Sequence, residues 1–267
     1  MLSLTRRHVD SAVDDIRGGI FSWRLGHFLA WQDIKQRYRR STLGPTWLTL
    51  SFGIQIMSMG FLSAFLFAVP IGKSLPYVCA GMLLWGFVTQ MINDGAGLFV
   101  TTSRYITQIK TPLTVFLMQT VWRNVIIAGH NALIYVVVAV ILVVIPGPSI
   151  LLLPFGFALV IVALSWMALV AAILSARYRD VPVMISNLFG ILFWFTPLMY
   201  FPEQLGRKRF IADYNPLTHI VALVREPLLG NVPTLNDWLV VLALAVFGWA
   251  GAFLFFAKFR ARVVYWL

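Results

Sequence analysis

Two ionisable side chains, Asp94 and Arg123, lie inside long apolar stretches of this sequence. A charge inside a bilayer is costly, so such a residue usually lies on a pathway or pairs with an opposite charge. Both residues lie near the same end of their predicted helices, which allows them to form an ion pair. The pattern therefore predicts either a functional pair or a structural one, and the residues alone do not choose between the two.

Other residue patterns typical of catalytic, nucleotide-binding or metal-binding sites are missing from the sequence. The charges within apolar stretches are too few to form the ladder of carboxylates expected in a proton-driven pump. The sequence holds no phosphate-binding loop of the GxxxxGK[ST] type, no Ser/His/Asp set and no Asp-rich metal motif. Its single cysteine, Cys79, allows no intrachain disulfide and no cysteine metal site. We therefore predict no catalytic residue, no metal and no cofactor in this chain.

The composition is that of a membrane protein. Hydrophobic residues make up 60% of the 267 residues and charged residues 12%, whereas soluble domains are about 45–50% apolar. A soluble protein could not cover so much apolar surface, so the surplus must face lipid. The net charge of +11 comes mainly from residues before position 41 and at the ends of apolar stretches. This distribution favours contact with membrane lipids over nucleic-acid binding.

Six apolar stretches are long enough to cross a bilayer core of about 30 Å, which takes about 20 helical residues. They are predicted at residues 46–69, 77–99, 118–145, 151–174, 183–201 and 238–257. Alternating the intervening segments across the membrane puts 15 Lys and Arg residues on the side of both termini and 5 on the other. The positive-inside rule then predicts a multi-pass inner-membrane protein with both termini in the cytoplasm. No cleavable signal peptide is expected.

Two connections do not look like simple loops. Residues 111–145 would form a helix of about 52 Å, too long for one span. Thr111 is predicted as its N-cap and Pro112 as its first residue, with residues 112–121 as a cytoplasmic-side helix that runs into the third span or breaks before it. Residues 202–237 contain four prolines between apolar runs. They predict one or two short interfacial or re-entrant helices, with a packed loop as the alternative.

The lead-in to the first span, residues 21–45, predicts an amphipathic helix on the inner membrane surface. Its apolar residues fall within about a 120° arc: Phe28, Trp31, Ile34 and Tyr38. Lys35 intrudes on that face. The basic residues of the lead-in either anchor the first span or face lipid phosphates or an anionic substrate headgroup.

A short Arg/Asp-rich turn, residues 175–182, separates the fourth and fifth spans. It is the right size to dock onto a cytoplasmic partner, or it is a snorkelling loop with an Arg–Asp pair. Aromatic residues make up 15% of the chain and are frequent in spans one, two and five. Aromatic faces could stack on sugar rings, although lipid-facing packing explains most single residues as well.

Five segments occur in the order QDIKQRYRRSTLGPTW, ARYRDVPV, FWFTPLMYFPEQL, YNPLTHIVALVREPLLG and FRARVVYWL. Together they resemble the ABC-2 type permeases, in particular the exporters of O-antigen, capsule and teichoic acid. The resemblance covers residues 21–267 and leaves residues 1–20 as an N-terminal cytoplasmic tail. It implies an all-α integral membrane domain, with six transmembrane helices, the N-terminal interface helix and short external re-entrant helices between spans five and six.

The resemblance also implies partners. Two copies of the chain would form a homodimer that binds two copies of a separate ATP-binding subunit. That subunit would bind ATP and Mg²⁺ and hydrolyse ATP, so the chain itself would be a transport subunit and not an enzyme. The substrate would be a lipid-linked glycan.

Roles for individual residues follow only from the resemblance. The entry gate for a substrate headgroup would comprise Lys35, Arg37, Arg39, Arg40, Leu43, Gly44, Arg104 and Lys110. Channel aromatics would be Phe61, Phe65, Phe193, Trp194 and Tyr200. Coupling to the ATPase would use Trp31, Asp33, Arg177, Arg179 and Asp180.

Two other functions remain open at this point. An ABC-2 exporter of a drug or small lipid would share the same spans, but the basic lead-in and the aromatic spans favour a glycan. A membrane-embedded enzyme, such as a lipid-linked sugar transferase, would need clustered acids. The available ones are scattered along the sequence: Asp94, Asp180, Glu203 and Glu226. An exporter of lipid-linked polysaccharide is therefore the favoured prediction.

Overall fold

The computed structural model describes residues 6–38, 46–108 and 111–267. Within these ranges the chain is built from helices and contains no strand, which confirms the predicted all-α class. The helices are α1 (Arg6–Phe21), α2 (Trp23–Tyr38), α3 (Thr46–Leu66), α4 (Ile71–Thr101), α5 (Ser103–Gln108), α6 (Leu113–Ile141), α7 (Leu153–Arg177), α8 (Val181–Phe195), α9 (Phe210–Asp213), α10 (Pro216–Leu228) and α11 (Leu235–Trp266). Two 3₁₀ segments, Pro148–Leu152 and Pro202–Lys208, complete the described structure.

The bundle has two distinct ends. Asp15 of α1 bonds Arg260 of α11, so the helices nearest to the two chain termini meet at one end, which we call the terminal end. Gly147 and Gly230 approach each other at the opposite end, which we call the loop end. Which end faces the cytoplasm stays a prediction from the distribution of Lys and Arg.

Among the described residues, five helices are long and apolar enough to cross a membrane: α3, α4, α6, α7 with its 3₁₀ lead-in, and α11. The predicted fifth span, residues 183–201, is shorter in the structure. α8 ends at Phe195 after 15 residues, a length of about 22 Å against a bilayer core of about 30 Å. The structure therefore supports five spans by length, and the sixth crossing stays a prediction.

Helix α4 forms the centre of the bundle and packs against α3, α6 and α7. Its buried residues include Met91 and Phe99. Small residues let α4 approach α7 closely, since a Cβ added to Gly95 would lie 2.5 Å from the Cβ of Ala168. Such small contacts are a common way to pack helices in lipid, where no hydrophobic force drives them together.

The long third span is one continuous helix, α6, so the predicted cytoplasmic-side helix runs directly into the span. The predicted cap was wrong. Pro112 occupies the N-cap position, and the free amides of Leu113 and Thr114 are bonded by the carboxylate of Asp15 in α1. Local sequence rules missed this cap because the side chain comes from a distant helix.

The second span was predicted from residue 77, but its helix begins earlier. α4 begins at Ile71, and Pro76 lies within its second turn. Pro76 lacks the amide that would bond the Gly72 carbonyl, so the helix loses one backbone hydrogen bond there.

Residues 202–234 form the Pro202–Lys208 3₁₀ segment followed by α9 and α10, rather than a plain loop. α10 is largely buried and packs against α4, α7 and α11. Asn215 caps α10 by accepting a 3.0 Å hydrogen bond from the amide of Leu217. The structure thus supports the prediction of short helices here, while their depth relative to a membrane is untested.

The described part of the lead-in forms α2, which is joined to α1 at Ser22. Residues 6–20 of the segment predicted as a tail belong to α1. The predicted apolar face of α2 is divided: Ile34 is buried, whereas Phe28 and Trp31 are exposed. Small residues on the inner face explain the difference, since a Cβ on Gly26 would lie 3.0 Å from the Cβ of Met118 in α6.

Candidate functional site

Arg123 of α6 is the centre of an ion cluster at the terminal end. Its Nη1 lies 3.1 Å from Oδ2 of Asp33 in α2, and its Nη2 lies 2.9 Å from Oδ2 of Asp94 in α4. Amides complete the cluster: Nε2 of Gln119 donates to Asp33 at 2.6 Å, and Nδ2 of Asn124 donates to Asp94 at 3.1 Å. The predicted pair of Asp94 and Arg123 is therefore present, and Asp33 joins it.

The cluster connects three helices through a single cation. Two carboxylates share one guanidinium, so the three charged groups together carry a formal charge of −1. The side chains of Arg123 and Asp94 are 18% and 20% exposed, and that of Asp33 is 36% exposed. A partly solvated arginine with two competing partners can weaken one contact while it keeps the other.

An open polar cavity of about 420 Å³ lies beside this cluster. It is lined by Asp33, Ile34, Gln36, Asn93, Asp94, Gly97, Thr101, Thr102, Tyr105, Gln119, Arg123 and Ile127. Polar side chains from α2, α4, α5 and α6 thus face one space at the terminal end.

A second contact holds the start of α6 in place. Asp15 of α1 is almost fully buried, and its carboxylate accepts hydrogen bonds from the Leu113 and Thr114 amides and from Nε of Arg260, the last at 2.6 Å. Gly19 allows this approach, since a Cβ there would lie 2.2 Å from the Thr114 hydroxyl. α1 is therefore an integral part of the terminal end.

The residues predicted for the entry gate are only partly described. Lys35 is exposed on α2, and its Nζ lies 5.7 Å from the Trp31 ring centroid. Arg104 is exposed on α5. Arg37 lies in the last turns of α2. The remaining five lie outside the described residues: Arg39, Arg40, Leu43, Gly44 and Lys110.

The residues predicted to couple to an ATPase lie in two different settings. Asp33 faces inward to Arg123, whereas Trp31 is exposed on the outer face of α2. Arg177, Arg179 and Asp180 are exposed in the turn between α7 and α8. The Arg177 guanidinium lies 5.3 Å from the Trp266 ring at the end of α11, so this turn also belongs to the terminal end.

The predicted channel aromatics lie on helices that flank α4. Phe61 and Phe65 are exposed on α3, and Trp194 is exposed on α8. Phe193 packs edge-on against Trp85 of α4 with ring centroids 6.0 Å apart. Tyr200 follows α8, and its hydroxyl donates to the carbonyl of Trp194 at 3.3 Å.

The loop end holds a second polar cluster, around Arg225 of α10. The Arg225 guanidinium lies 4.1 Å from the Tyr77 ring centroid, and its Nη1 donates to the Pro197 carbonyl at 2.7 Å. Its Nε pairs with Glu226 at 3.2 Å. The Tyr77 hydroxyl donates to the same Pro197 carbonyl. These contacts fasten α10 to α4 and to the segment that follows α8.

His219 joins the loop-end cluster to the start of α11. Its Nδ1 lies 2.7 Å from Oδ1 of Asp237, and its Nε2 lies 2.9 Å from the Asp213 carbonyl. Because both neighbours are acceptors, only the protonated ring can donate to both. The hydrogen bond to Asp237 raises the pKa of His219 above its usual value, against the opposing effect of burial.

A family model described as ABC-2 type transporter matches residues 26–229 of this chain. The chain belongs to the ABC-2 type transporter family. The matched part of this ABC-2 transporter chain runs from α2 through α10, so it contains the ion cluster and the Arg225 cluster. α1 and α11 lie outside it.

Two curated relatives are similar to this ABC-2 transporter chain over most of their length. Both are described as O-antigen export system permease protein RfbA from Klebsiella pneumoniae. One is 23% identical over 212 residues, covering 77% of this chain and 79% of the relative. The other is 22% identical over 210 residues, covering 75% and 78%.

Sequence reasoning missed several residues of this ABC-2 transporter's polar clusters. Asp15 lay in the unexplained tail, Gln119 looked like an ordinary polar residue near a span end, and Arg225 looked like one charge in a proline-rich segment. The available signal for Asp15 was an aspartate three residues before a pair of glycines, which is too common a pattern to predict a contact 98 residues away.

Proposed function

We propose that this chain is the membrane-spanning permease subunit of an ATP-driven exporter that moves a lipid-linked, O-antigen-like polysaccharide from the cytoplasm across the inner membrane. The observation that carries the proposal is the similarity to two O-antigen export permeases over about three quarters of this chain. Neither relative is described as a drug exporter, so the drug or small-lipid alternative has no comparable support.

The working assembly in this proposal contains two copies of the chain and two ATP-binding subunits, which bind ATP and Mg²⁺. The terminal end faces the cytoplasm, because it receives most of the Lys and Arg residues. α8 and the segment after it complete a sixth crossing, with the Pro202–Lys208 segment, α9 and α10 at the external mouth.

Coupling to ATP hydrolysis takes place at the terminal end. The ATP-binding subunit contacts the exposed face of α2 around Trp31 and the turn of Arg177, Arg179 and Asp180. The contact of Asp33 with Arg123 then passes movement of α2 to α6, and the contact of Asp94 with Arg123 passes it to α4. The support for this route is the position of one cation between three helices.

The substrate enters near the basic residues of the lead-in and of α5, where cations attract the anionic headgroup of a lipid carrier. The sugar chain then moves past the aromatic residues of α3 and α8. The exposed rings of Phe61 and Trp194 support this part of the proposal, because exposed aromatic faces can stack on sugar rings.

Deleting the gene in its source bacterium tests the proposal. We expect the surface polysaccharide to disappear and its lipid-linked form to accumulate inside the cell, with both effects reversed by the intact gene on a plasmid. Normal surface polysaccharide in the deletion strain would contradict the proposal.

Purification provides a biochemical control. The chain should transport lipid-linked glycan in vesicles only together with an ATP-binding subunit and ATP. Transport by the chain alone, without nucleotide, would exclude an ATP-driven exporter.

A further inference from the structure

One face of α4 carries a row of polar or small residues through an otherwise apolar helix. At 100° per residue its members all lie within about 100° of the helix surface: Gly86, Gln90, Asn93, Asp94, Gly97 and Thr101. The row extends over about 22 Å, counted at 1.5 Å per residue. It begins at the terminal end and ends at about the middle of α4.

Two neighbouring cavities follow this row. The outer one is the 420 Å³ cavity beside Arg123, and the inner one has a volume of about 300 Å³. Ile127 of α6 lines both, so the cavities adjoin. The inner cavity is lined by Ser51, Phe52, Gln55, Gly86, Gln90, Ile127 and Asn131. We call the two cavities together the polar track.

Amides in the inner cavity have unused hydrogen-bonding groups. Among the described residues, neither Gln55 nor Gln90 has a hydrogen-bond partner, and Nδ2 of Asn131 donates to none. The Asn131 Oδ1 accepts only a long, 3.4 Å bond from Thr49. In hydrocarbon an amide without a partner costs several kcal/mol by transfer to an apolar solvent, roughly 4–8 kcal/mol. Gln90 and Asn131, which are half-buried, therefore need water or a hydroxyl-rich ligand in the track, and the exposed Gln55 lies at its edge.

The charges along the track distinguish its two parts. The outer cavity contains Asp33, Asp94 and Arg123, with one carboxylate in excess, which disfavours an anionic phosphate. None of the described residues that line the inner cavity is ionisable. Its amides both donate and accept hydrogen bonds, as sugar hydroxyls do. The track therefore suits an uncharged chain of hydroxyl-bearing rings better than a phosphate or an apolar molecule.

Towards the loop end the track is closed by Phe52. A Cβ added to Gly86 would lie 2.9 Å from the tip of the Phe52 ring, so the ring packs directly over this glycine. Phe52 thus bounds the inner cavity where it meets Gly86.

We propose that the polar track between α3, α4 and α6 is a binding site for the uncharged sugar part of the substrate, separate from the aromatic faces of α3 and α8. The proposal rests on the proposed function, because it takes the substrate to be a glycan. Gln55, Gln90 and Asn131 bind its hydroxyl groups, and Phe52 bounds the site.

Cysteine labelling tests whether the track is open to water and to substrate. Cys79, the single cysteine, is buried, so Cys79→Ala provides the background in the assembled exporter. In inside-out vesicles Gln90→Cys and Gln55→Cys should react with a positively charged, water-soluble thiosulfonate reagent. Leu133→Cys, at an exposed apolar position of α6, should not. Added lipid-linked glycan should slow labelling of Gln90→Cys at least fivefold, and equal labelling with and without glycan would overturn the proposal.

Export measurements complete the test. Gln90→Leu should reduce glycan export about tenfold while ATP hydrolysis continues, and Gln90→Asn should restore part of the export. Ser58→Leu is the matched control, because the exposed Ser58 hydroxyl bonds only to the Ile54 carbonyl of its own helix.

The remaining outcomes distinguish failure of the polar-track binding site from failure of the proposed exporter function. If the unmutated chain exports glycan and Gln90→Leu does so equally well, the polar track is not a binding site for the glycan, and the proposed function stands. If the unmutated chain exports no glycan, the proposed function is wrong. Cross-linking between the Gln55→Cys residues of two copies, without labelling from water, would identify the track as a contact between copies and overturn the binding site.

Discussion

Arg123 and Arg225 lie at opposite ends of the bundle, and their surroundings differ in one respect that matters. Arg225 is enclosed by Tyr77, the Pro197 carbonyl and Glu226, and only 4% of its side chain is exposed. Arg123 is shared by two aspartates from different helices and lies beside an open cavity. The loop end therefore holds its arginine in one arrangement, whereas the terminal end offers its arginine two partners.

The comparison suggests how the same residue type can have two roles in one membrane bundle. A buried charge whose neighbours are all in place is costly to disturb, because removal of one partner leaves the others unsatisfied. A partly solvated charge with alternative partners loses less when one contact breaks. We therefore expect changes at the loop end to affect folding and changes in the ion cluster to affect transport.

The largest effect is expected at Arg225. Arg225→Leu should lower the free energy of unfolding by about 3 kcal/mol, because Glu226 and the Pro197 carbonyl lose a buried partner. Chemical unfolding of the detergent-purified protein measures the change. The control is Arg209→Leu, which removes an exposed pair with Asp213 and should change the free energy by less than about 0.5 kcal/mol. Equal losses in both variants would mean that the loop-end cluster does not stabilise the fold.

A smaller loss of stability is expected from a substitution at the contact between α1 and α6. Gly19→Ala would bring a Cβ to 3.0 Å from the backbone of Thr114 and closer still to its side chain. We expect a loss of about 2 kcal/mol in the same unfolding experiment, since α1 must move away.

The matched control for the α1 contact is Gly129→Ala in α6, where an added Cβ meets nothing within 4 Å. It should leave stability unchanged or raise it by up to about 1 kcal/mol, because alanine favours the helix. If Gly19→Ala behaved like Gly129→Ala, α1 would not be packed as described.

The ion cluster should show the opposite pattern. Asp33→Asn should reduce glycan export about fivefold, equivalent to about 1 kcal/mol, with little change in the free energy of unfolding. Its control is Asp14→Asn, at an exposed position of α1, which should export normally. If Asp33→Asn lost stability in proportion to export, the ion cluster would stabilise the fold, as the Arg225 cluster does, and would have no separate role in transport.

The smallest effect is expected in the pH dependence of stability, through His219 at the loop end. Because Asp237 raises the pKa of His219, the protonated ring stabilises the folded protein fully below the unfolded pKa of about 6.5. This stabilisation is lost as the pH rises through the higher pKa of the folded state. The melting temperature should therefore fall slightly between pH 6 and pH 9. His219→Gln should remove that part of the fall, and an unchanged pH profile in the variant would exclude this role for His219.

Much of the fold could be predicted from the sequence because membrane spans are a local signal. A run of apolar residues must become a helix in lipid, where every backbone amide needs an internal partner. The same reasoning predicted helical structure from Thr111 to the third span. It also predicted the short helices that precede α11. The helix ends were harder to predict: α4 begins at Ile71 rather than near residue 77, and α8 ends at Phe195.

Part of the ion cluster could also be predicted from a local signal. Asp94 and Arg123 stand out because charges are rare within spans, so their pairing could be proposed without a structure. Asp33 lies in a charged segment where one more aspartate carries no signal. The polar track was not predictable, because Gln55, Gln90 and Asn131 belong to three helices whose rotations and register the sequence leaves open.

The sequence by itself determined that this chain lies in a membrane, that it is helical, and that Asp94 and Arg123 need a partner. Only the tertiary structure decided which helices meet: that Asp15 caps α6, that Asp33 shares Arg123, and that Arg225 stacks on Tyr77. The physical reason is that burial in lipid depends on residue type and chain length, both local properties. The contact between two side chains depends on how whole helices pack, and that is set by the combined shape of all their neighbours.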